Sequence, residues 1–493
     1  MKKGIALVNV IVFAAVAITV LVGLVNWGAQ TVGTIRTLTQ REQADQIAEA
    51  GIEYYRWHLA HFPTDYTDGT TTPGPYIHPF DDAYGNQIGQ YSLTIIPPTI
   101  GSTLVTVKST GTLTAFPTIQ RTIQATLGKP SFAKYAFAAN DFMRFGSGTV
   151  VNGPIYSNDG IHFDGVALNT VSSALATTTD PDNGNALEWS VFTKSGTADP
   201  QPYSPAFSAI PQRTDVFVAG RQISQPNISF SGITADISTL QGLATSSYNI
   251  PASGAKGYEI VFSYSAGTTT YKLYKVTGLA SPNGCTNDAN EANWGAWSTT
   301  TETAYPNSGS NTFHLPANGV IFVNDNVWVS GTVGHARITI VAGKLPQPAT
   351  PPDIIVNNNL KYTYKDGTDV IGLISQGNIS VGLYSLDNQE IDAAMVAQNG
   401  RIGRFYYNTN CHSSGNSEWH RTTLTIYGMI ATFIRYGFTW TGINNYNCGG
   451  TAGWIASGYC TRNITYDPNL LYGPPPSFPL SSSQYVPLLW QEL

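Results

Sequence analysis

Met1-Lys2-Lys3-Gly4 followed by Ile5-Ala6-Leu7-Val8-Asn9-Val10-Ile11-Val12-Phe13-Ala14-Ala15-Val16-Ala17-Ile18-Thr19-Val20-Leu21-Val22-Gly23-Leu24-Val25 is the stretch that organises this chain. Only Asn9 and Thr19 interrupt the apolar run. As a helix it measures about 31 Å, enough for a bilayer core of about 30 Å. Two plainer readings compete. A secretory signal peptide has a shorter apolar region closed by a small-x-small site, and the helical pattern here runs through Asn26-Trp27-Gly28-Ala29-Gln30. A simple single-span anchor needs no helix beyond the span. Lys2 and Lys3 hold the N-terminus in the cytoplasm and direct the bulk of the chain outward; Trp27 suits the outer interface.

Helix-compatible sequence continues over 26–61. Ile35, Leu38, Ile47 and Tyr54 mark an irregular apolar stripe among Arg36, Arg41, Glu42, Asp45 and Glu49. Phe62-Pro63 ends it, because proline cannot continue the hydrogen-bond ladder. One helix over 5–61 is about 86 Å long and needs neighbours or stands as a stalk; a break at Gly28 or Gly33 is the alternative. A Thr/Pro/Gly/Asp loop over 64–88 precedes alternating strands at 91–96, 103–108 and 118–127, with a turn at Gly111 between the last two. The helix can cover one face of this small antiparallel sheet.

The basic leader ending in Gly4, the apolar helix and Ala48-Glu49-Ala50-Gly51-Ile52-Glu53-Tyr54 together resemble the N-terminus of PilX-like type IV pilus accessory proteins, the minor pilins. The resemblance implies removal of the leader by a prepilin peptidase between Gly4 and Ile5, with methylation of the new terminus. It implies partnership with other pilin subunits through the N-terminal helix. It also implies insertion in the inner or cell membrane before assembly, with an extracytoplasmic body on the pilus or cell surface afterwards. The glutamate usual near the start of major pilins falls on Asn9, which carries no charge to pair with a neighbour's terminal amine. Accessory status follows better than self-polymerisation.

From about residue 135 the texture changes. Short apolar runs alternate with Asn-Gly, Asp-Gly and Gly turns at 148–165, 319–331, 337–343, 353–358, 370–379, 391–400 and 424–430. No run can form a core alone; stacked as coils they share one, with an Asn beside each turn stacking on the next and Ala393, Ala394 and Ala397 suiting a narrow interior. The expected fold is mainly β with a long N-terminal α-helix: a pilin-like helix and small sheet, then a right-handed β-solenoid, with a β-sandwich as the alternative. The expected divisions are a leader 1–4, a transmembrane and stalk helix 5–61, a small sheet 62–128, solenoid 129–169, an insertion 170–310, solenoid 311–440, and a disulfide-containing, proline-rich tail 441–493 that covers an end or flank of the coils.

Charged residues make up 11% of the 493, against about 25% in typical domains, and the net charge is −6. No basic cluster follows the leader, so nucleic-acid binding has no support. The cysteines are Cys285, Cys411, Cys448 and Cys460. Cys448–Cys460 is the easiest local pair and leaves Cys285–Cys411. Cys411-His412 with His420 lacks a fourth metal ligand; Asp180, Asp182 and Asn185 form only part of a calcium loop. No metal or cofactor is expected. Nucleophile-elbow, zincin and P-loop motifs are absent, and Asp369, Glu390 and Asp392 are scattered in sequence. The expected function is non-enzymatic: a minor or tip-associated pilin-like subunit acting in pilus assembly or surface adhesion, with a surface or glycan ligand. The alternatives are a membrane-anchored polysaccharide-active enzyme and a structural cell-surface protein.

Overall fold

The computed structural model describes residues 2–98, 102–202, 209–230, 232–244, 247–280, 297–306, 309–411, 417–441, 446–449 and 453–493. They form two compact units. The first holds residues 1–99, 103–129 and 484–493, and the second is the β-rich body between them in the chain.

In the first unit a single helix, α1 (Lys2–His61), runs without a break through Gly28 and Gly33 and stops before Pro63. It packs on an antiparallel sheet ordered β1 (Tyr76–Asp81), β2 (Gln87–Ile96), β3 (Val105–Leu113), β4 (Gln120–Gly128) and a last strand, Val486–Glu492. Two expectations need correction. The stretch 64–88 is not all loop, because Tyr76–Asp81 pairs with β2. Gly111 is not a turn but lies inside β3, opposite Tyr91 and Arg121. There the helix backbone comes so close that a Cβ would fall on the Ala44 carbonyl oxygen and within 2.6 Å of the Ala48 nitrogen. Glycine in a strand marks such an approach. Ile47, Ile52, Tyr55 and Leu59 complete the contact with Leu93, Val105, Val107 and Ile123. Arg121 ties three elements together: its Nε donates to Asp45 Oδ1 of α1 at 3.0 Å and an Nη donates to Glu492 Oε2 of the last strand at 3.3 Å.

The second unit is built on parallel ladders. One unbroken column of buried side chains runs Ile321, Ile340, Leu373, Met395, Ile430, Phe137, Ile155, Val171, each paired with the next. The neighbouring positions, Phe322, Val341, Ile374, Val396, Ala431, Ala138 and Tyr156, form a second column on the opposite face. Both faces are covered, so these strands read as continuous apolar runs rather than alternating ones. Ala393 and Ala397 face the first interior, whereas Ala394 faces the second.

The second column is covered by two segments. Residues 226–230 and 232–244 cross the stack: Asn158 and Ile228 exchange hydrogen bonds of 2.8 and 2.9 Å, the Phe230 ring lies 5.0 Å from that of Phe132, and Gln241 Nε2 in α2 (Gly232–Leu243) donates to Asn324 Oδ1 at 2.9 Å. The proline-rich segment lies along the flank, where an Arg337 Nη donates to the Pro474 carbonyl at 2.7 Å and Thr339 Oγ1 donates to the Pro476 carbonyl at 2.6 Å. The C-terminus is more than a flank cover, because Val486–Glu492 returns to pair with β4 of the first unit.

The stretch 170–310 supplies both ends of the ladders. Gly257–Ser265 pairs in parallel with Val327–Val333 on one side and antiparallel with Thr268–Leu279 on the other. This hairpin ends the parallel repetition and removes a sticky edge. At the opposite end Arg221 stands beside Val171. Its buried guanidinium reaches Asp199, the Pro211 carbonyl and the Val191 carbonyl, so an ion pair replaces the apolar column. Side chains at the turns bond from one level to the next. Asn326 Oδ1 accepts from Asp353 N at 2.8 Å, Asp353 Oδ1 from Asn378 N at 2.6 Å, and Asn378 Oδ1 from Arg401 N at 3.0 Å.

Candidate functional site: the uncovered half of the N-terminal helix

Between Leu7 and Leu38 the side chains of α1 are exposed among the described residues. Phe13 is 74% exposed, Val25 69% and Trp27 68%. Burial begins at Ala44. Ile35 and Leu38, expected to share one stripe with Ile47, therefore belong to the bare part. Among the described residues this is one helix long and apolar enough to cross a membrane, with a mean hydropathy of 2.8 over its best window.

The threonine hydroxyls of this part of the helix are satisfied within it. The hydroxyls of Thr19, Thr31, Thr34, Thr37 and Thr39 each donate to the carbonyl four residues earlier, at 2.8–3.0 Å. Such bonding lets a threonine sit in an apolar medium without an orphan donor. Asn9 is exposed on the same helix. Gly4 and Ile5 lie in the first helical turns of the backbone. The arrangement is a bare apolar rod whose far end is built into a folded head.

The other candidate residues disperse. Cys448 and Cys460 are bonded, with Cα atoms 5.5 Å apart, tying Tyr446–Asn447 and its partner strand Trp454–Ile455 to Ser457–Tyr466. Cys411 is buried and also disulfide-bonded, so its sulfur is not a metal ligand; Cys285 and His412 lie outside the described residues. His420 stacks on Tyr446 at 3.7 Å. The carboxylates of the partial calcium loop are engaged by cations. Asp180 meets Lys194 at 2.7 Å, and Asp182 meets Arg144 at 3.2 Å and Arg435 at 3.0 Å. Burial opposes the ionised form of Asp182, but the two guanidiniums outweigh it and hold its carboxyl below the ordinary range.

Of the three scattered carboxylates, the fold brings two together. Glu390 and Asp392 project from one strand face: Lys361 meets Glu390 at 2.8 Å, and Lys365 meets both Glu390 and Asp392 at 3.0 Å. Asp392 is fully buried and accepts from Tyr362 N at 2.9 Å. Burial pushes its carboxyl up despite these partners. Asp369 stands apart, with its oxygens turned to the backbone of two turns. Sequence reasoning missed a surface cluster of Tyr264, His335 and Tyr364. These residues are far apart in the chain, and no local pattern joins them.

No family model matches the chain, and no curated protein does. Among solved structures the chain is similar to the competence-associated pilin ComZ from Thermus thermophilus, at 14% identity over 92% of this chain and 98% of that one, with a TM-score of 0.28. A likeness this loose carries no functional argument.

Proposed function

We propose that this chain is a minor or tip-associated subunit of a type IV pilus-like filament. It inserts α1 into a membrane before assembly and into the filament afterwards, and presents the β-rich body for assembly or surface contact. The observation that carries the reading is the division of α1: bare and apolar to Leu38, then built into a sheet from Ala44. A buried core helix would be covered throughout, and a cleaved signal would not share one rigid helix with a folded head. Prepilin peptidase acting at Gly4 and Ile5 is part of the proposal, as is joining other pilins through the surface around Asn9. We read the stacked parallel ladders as a right-handed β-solenoid.

The test is expression with the filament-assembly machinery, with and without another pilin. The chain should co-purify with sheared filaments only when the other pilin is present. Long regular homopolymers, or a protein that never leaves the membrane fraction, would count against it.

A second reading, a membrane-anchored polysaccharide-active enzyme, draws on the convergence of Glu390 and Asp392 with two lysines. It ranks lower because both carboxylates are tied to lysines and Asp392 is fully buried, out of reach of a polysaccharide. Release of reducing ends from a polysaccharide, abolished by Glu390→Gln, would promote it.

A further inference from the structure

We propose that Tyr264, His335 and Tyr364 form a platform on the β-rich body that stacks against the flat face of a neutral pyranose sugar. The inference rests on reading that body as the surface-contact part of the subunit, and it names the ligand class.

The three residues sit at the ends of adjacent strands, Gly257–Ser265, Val327–Val333 and Leu360–Tyr362, which pair side by side through Phe262, Gly331 and Leu360. The His335 and Tyr364 rings stack at 4.6 Å with planes 27° apart. Tyr264 stands across both, at 73° and 81°, and its hydroxyl lies 3.5 Å from that of Tyr364. The stack uses one face of His335 and one of Tyr364. His335 is exposed and Tyr364 is 38% exposed.

The platform is held from beneath by buried groups. Thr269 is buried; its Oγ1 donates to the Gly334 carbonyl at 2.7 Å and accepts from Gly334 N at 2.9 Å. Asp369 is fully buried, accepting from Thr363 N at 3.0 Å, Tyr364 N at 2.7 Å and Ala336 N at 3.4 Å. One carboxylate thus fixes the two turns that carry His335 and Tyr364. A Cβ on Gly334 would lie 2.7 Å from the Tyr264 ring, so that ring rests on bare backbone. His335 holds a φ of +49°, a left-handed conformation uncommon for a residue with a Cβ. Strain that displays a ring in solvent, where packing returns little, is the pattern of a binding position.

The chemistry fits a hydroxylated, uncharged ligand. Ring faces take apolar C–H surface, while the two phenol hydroxyls and the imidazole edge exchange hydrogen bonds with ring hydroxyls. Lys365, next to Tyr364, is engaged by Glu390 and Asp392, and the Asp366 carboxylate is turned back to Thr368. No free cation among these residues invites a phosphate or sulfate.

The full chain, in a detergent without a sugar headgroup, is titrated with maltopentaose, cellopentaose and chitopentaose and, separately, with tetramethylammonium and a proline-rich peptide. Binding is read by saturation-transfer NMR and calorimetry. At least one oligosaccharide should bind, and Tyr364→Ala and His335→Asn should each weaken it by about tenfold, the loss of one stacking contact. Tyr364→Phe, which keeps the ring, should stay close to wild type, as should Tyr84→Ala in the first unit. Asparagine tolerates the left-handed φ, so His335→Asn keeps the turn even where Tyr364→Ala perturbs folding. The proposal is overturned by any of three results: no oligosaccharide binds, binding is indifferent to both variants, or only the ammonium or the peptide binds. The same variants are scored for entry into filaments. Normal entry without sugar binding removes the ligand assignment alone, and failed entry of the wild type removes the pilin reading.

Discussion

Ile430 pairs in parallel with Phe137, joining the long strand His420–Thr432 of the β-rich body to its first strand, Phe137–Ala139. The chain enters the stack in the middle, extends it one way through Ile155 and Val171, crosses outside it with 226–230 and 232–244, and builds back from the far end through Ile321, Ile340, Leu373 and Met395 to meet its own beginning. Two arms made at different times thus share one core column.

That seam makes a stability prediction. Ile430→Ala and Phe137→Ala should each destabilise the body by about 2–5 kcal/mol, because each leaves a cavity beside the other. The double variant should lose less than the sum, since the two side chains share that space. Denaturant unfolding of the four proteins measures the coupling; strict additivity would show that the arms are independent.

Gly111→Val should disrupt the first unit. A Cβ there has no room against Ala44 and Ala48, and overpacking of this kind costs about 1–3 kcal/mol or more. Thermal melts followed by limited proteolysis should show earlier cleavage within residues 44–128. Lys108→Ala, on the same strand, serves as the comparison.

The body should lose stability as pH rises. Glu259 lies in the end hairpin, one strand away from Glu302. Burial, then hydrogen bonding and charge repulsion with Glu302, push its carboxyl up to about 8. A group raised in the folded state favours folding most below its unfolded value, and that contribution fades as pH climbs through the folded one. Melting temperature should therefore fall between about pH 4.5 and 8, and Glu259→Gln should flatten the slope. An unchanged slope in that variant would assign the effect elsewhere.

Processing is expected between Gly4 and Ile5. Intact-mass analysis of native protein should give a chain beginning at Ile5, and Gly4→Glu should leave the leader attached in the membrane. A start at Met1 or beyond Trp27 would defeat the pilin reading at its root.

The Cys448–Cys460 bond closes a short loop with few regular strands of its own. Replacing both cysteines with serine should cost about 2–3 kcal/mol by the loop-entropy account. The disulfide should appear in non-reducing peptide maps of secreted protein.

The long helix and its stop before Pro63 were legible because α1 is governed by local rules: an apolar run, compatible residues, then a proline. The mainly β character of the body was legible from short apolar runs set between glycine and asparagine turns. Strand edges were less so. Gly111 read as a turn because glycine usually marks one, and its reason for being in a strand lies in Ala44 and Ala48, far back in the chain. Asp392 and Glu390 read as scattered carboxylates, and only the fold sets Asp392 inside, where Lys365 and the Tyr362 amide satisfy it.

The sequence by itself determined that a long N-terminal helix leads a mainly β chain, and where that helix is greasy enough to leave water. Those properties depend on neighbours a few residues away. Only the tertiary structure decided that Val486–Glu492 returns to the first sheet, that Ile430 meets Phe137, that Asp369 steadies two turns, and that Tyr264, His335 and Tyr364 share one surface. Parallel strands of similar apolar character pair equally well with many partners. The choice among them is made by the packing of the whole column, which no short window of sequence records.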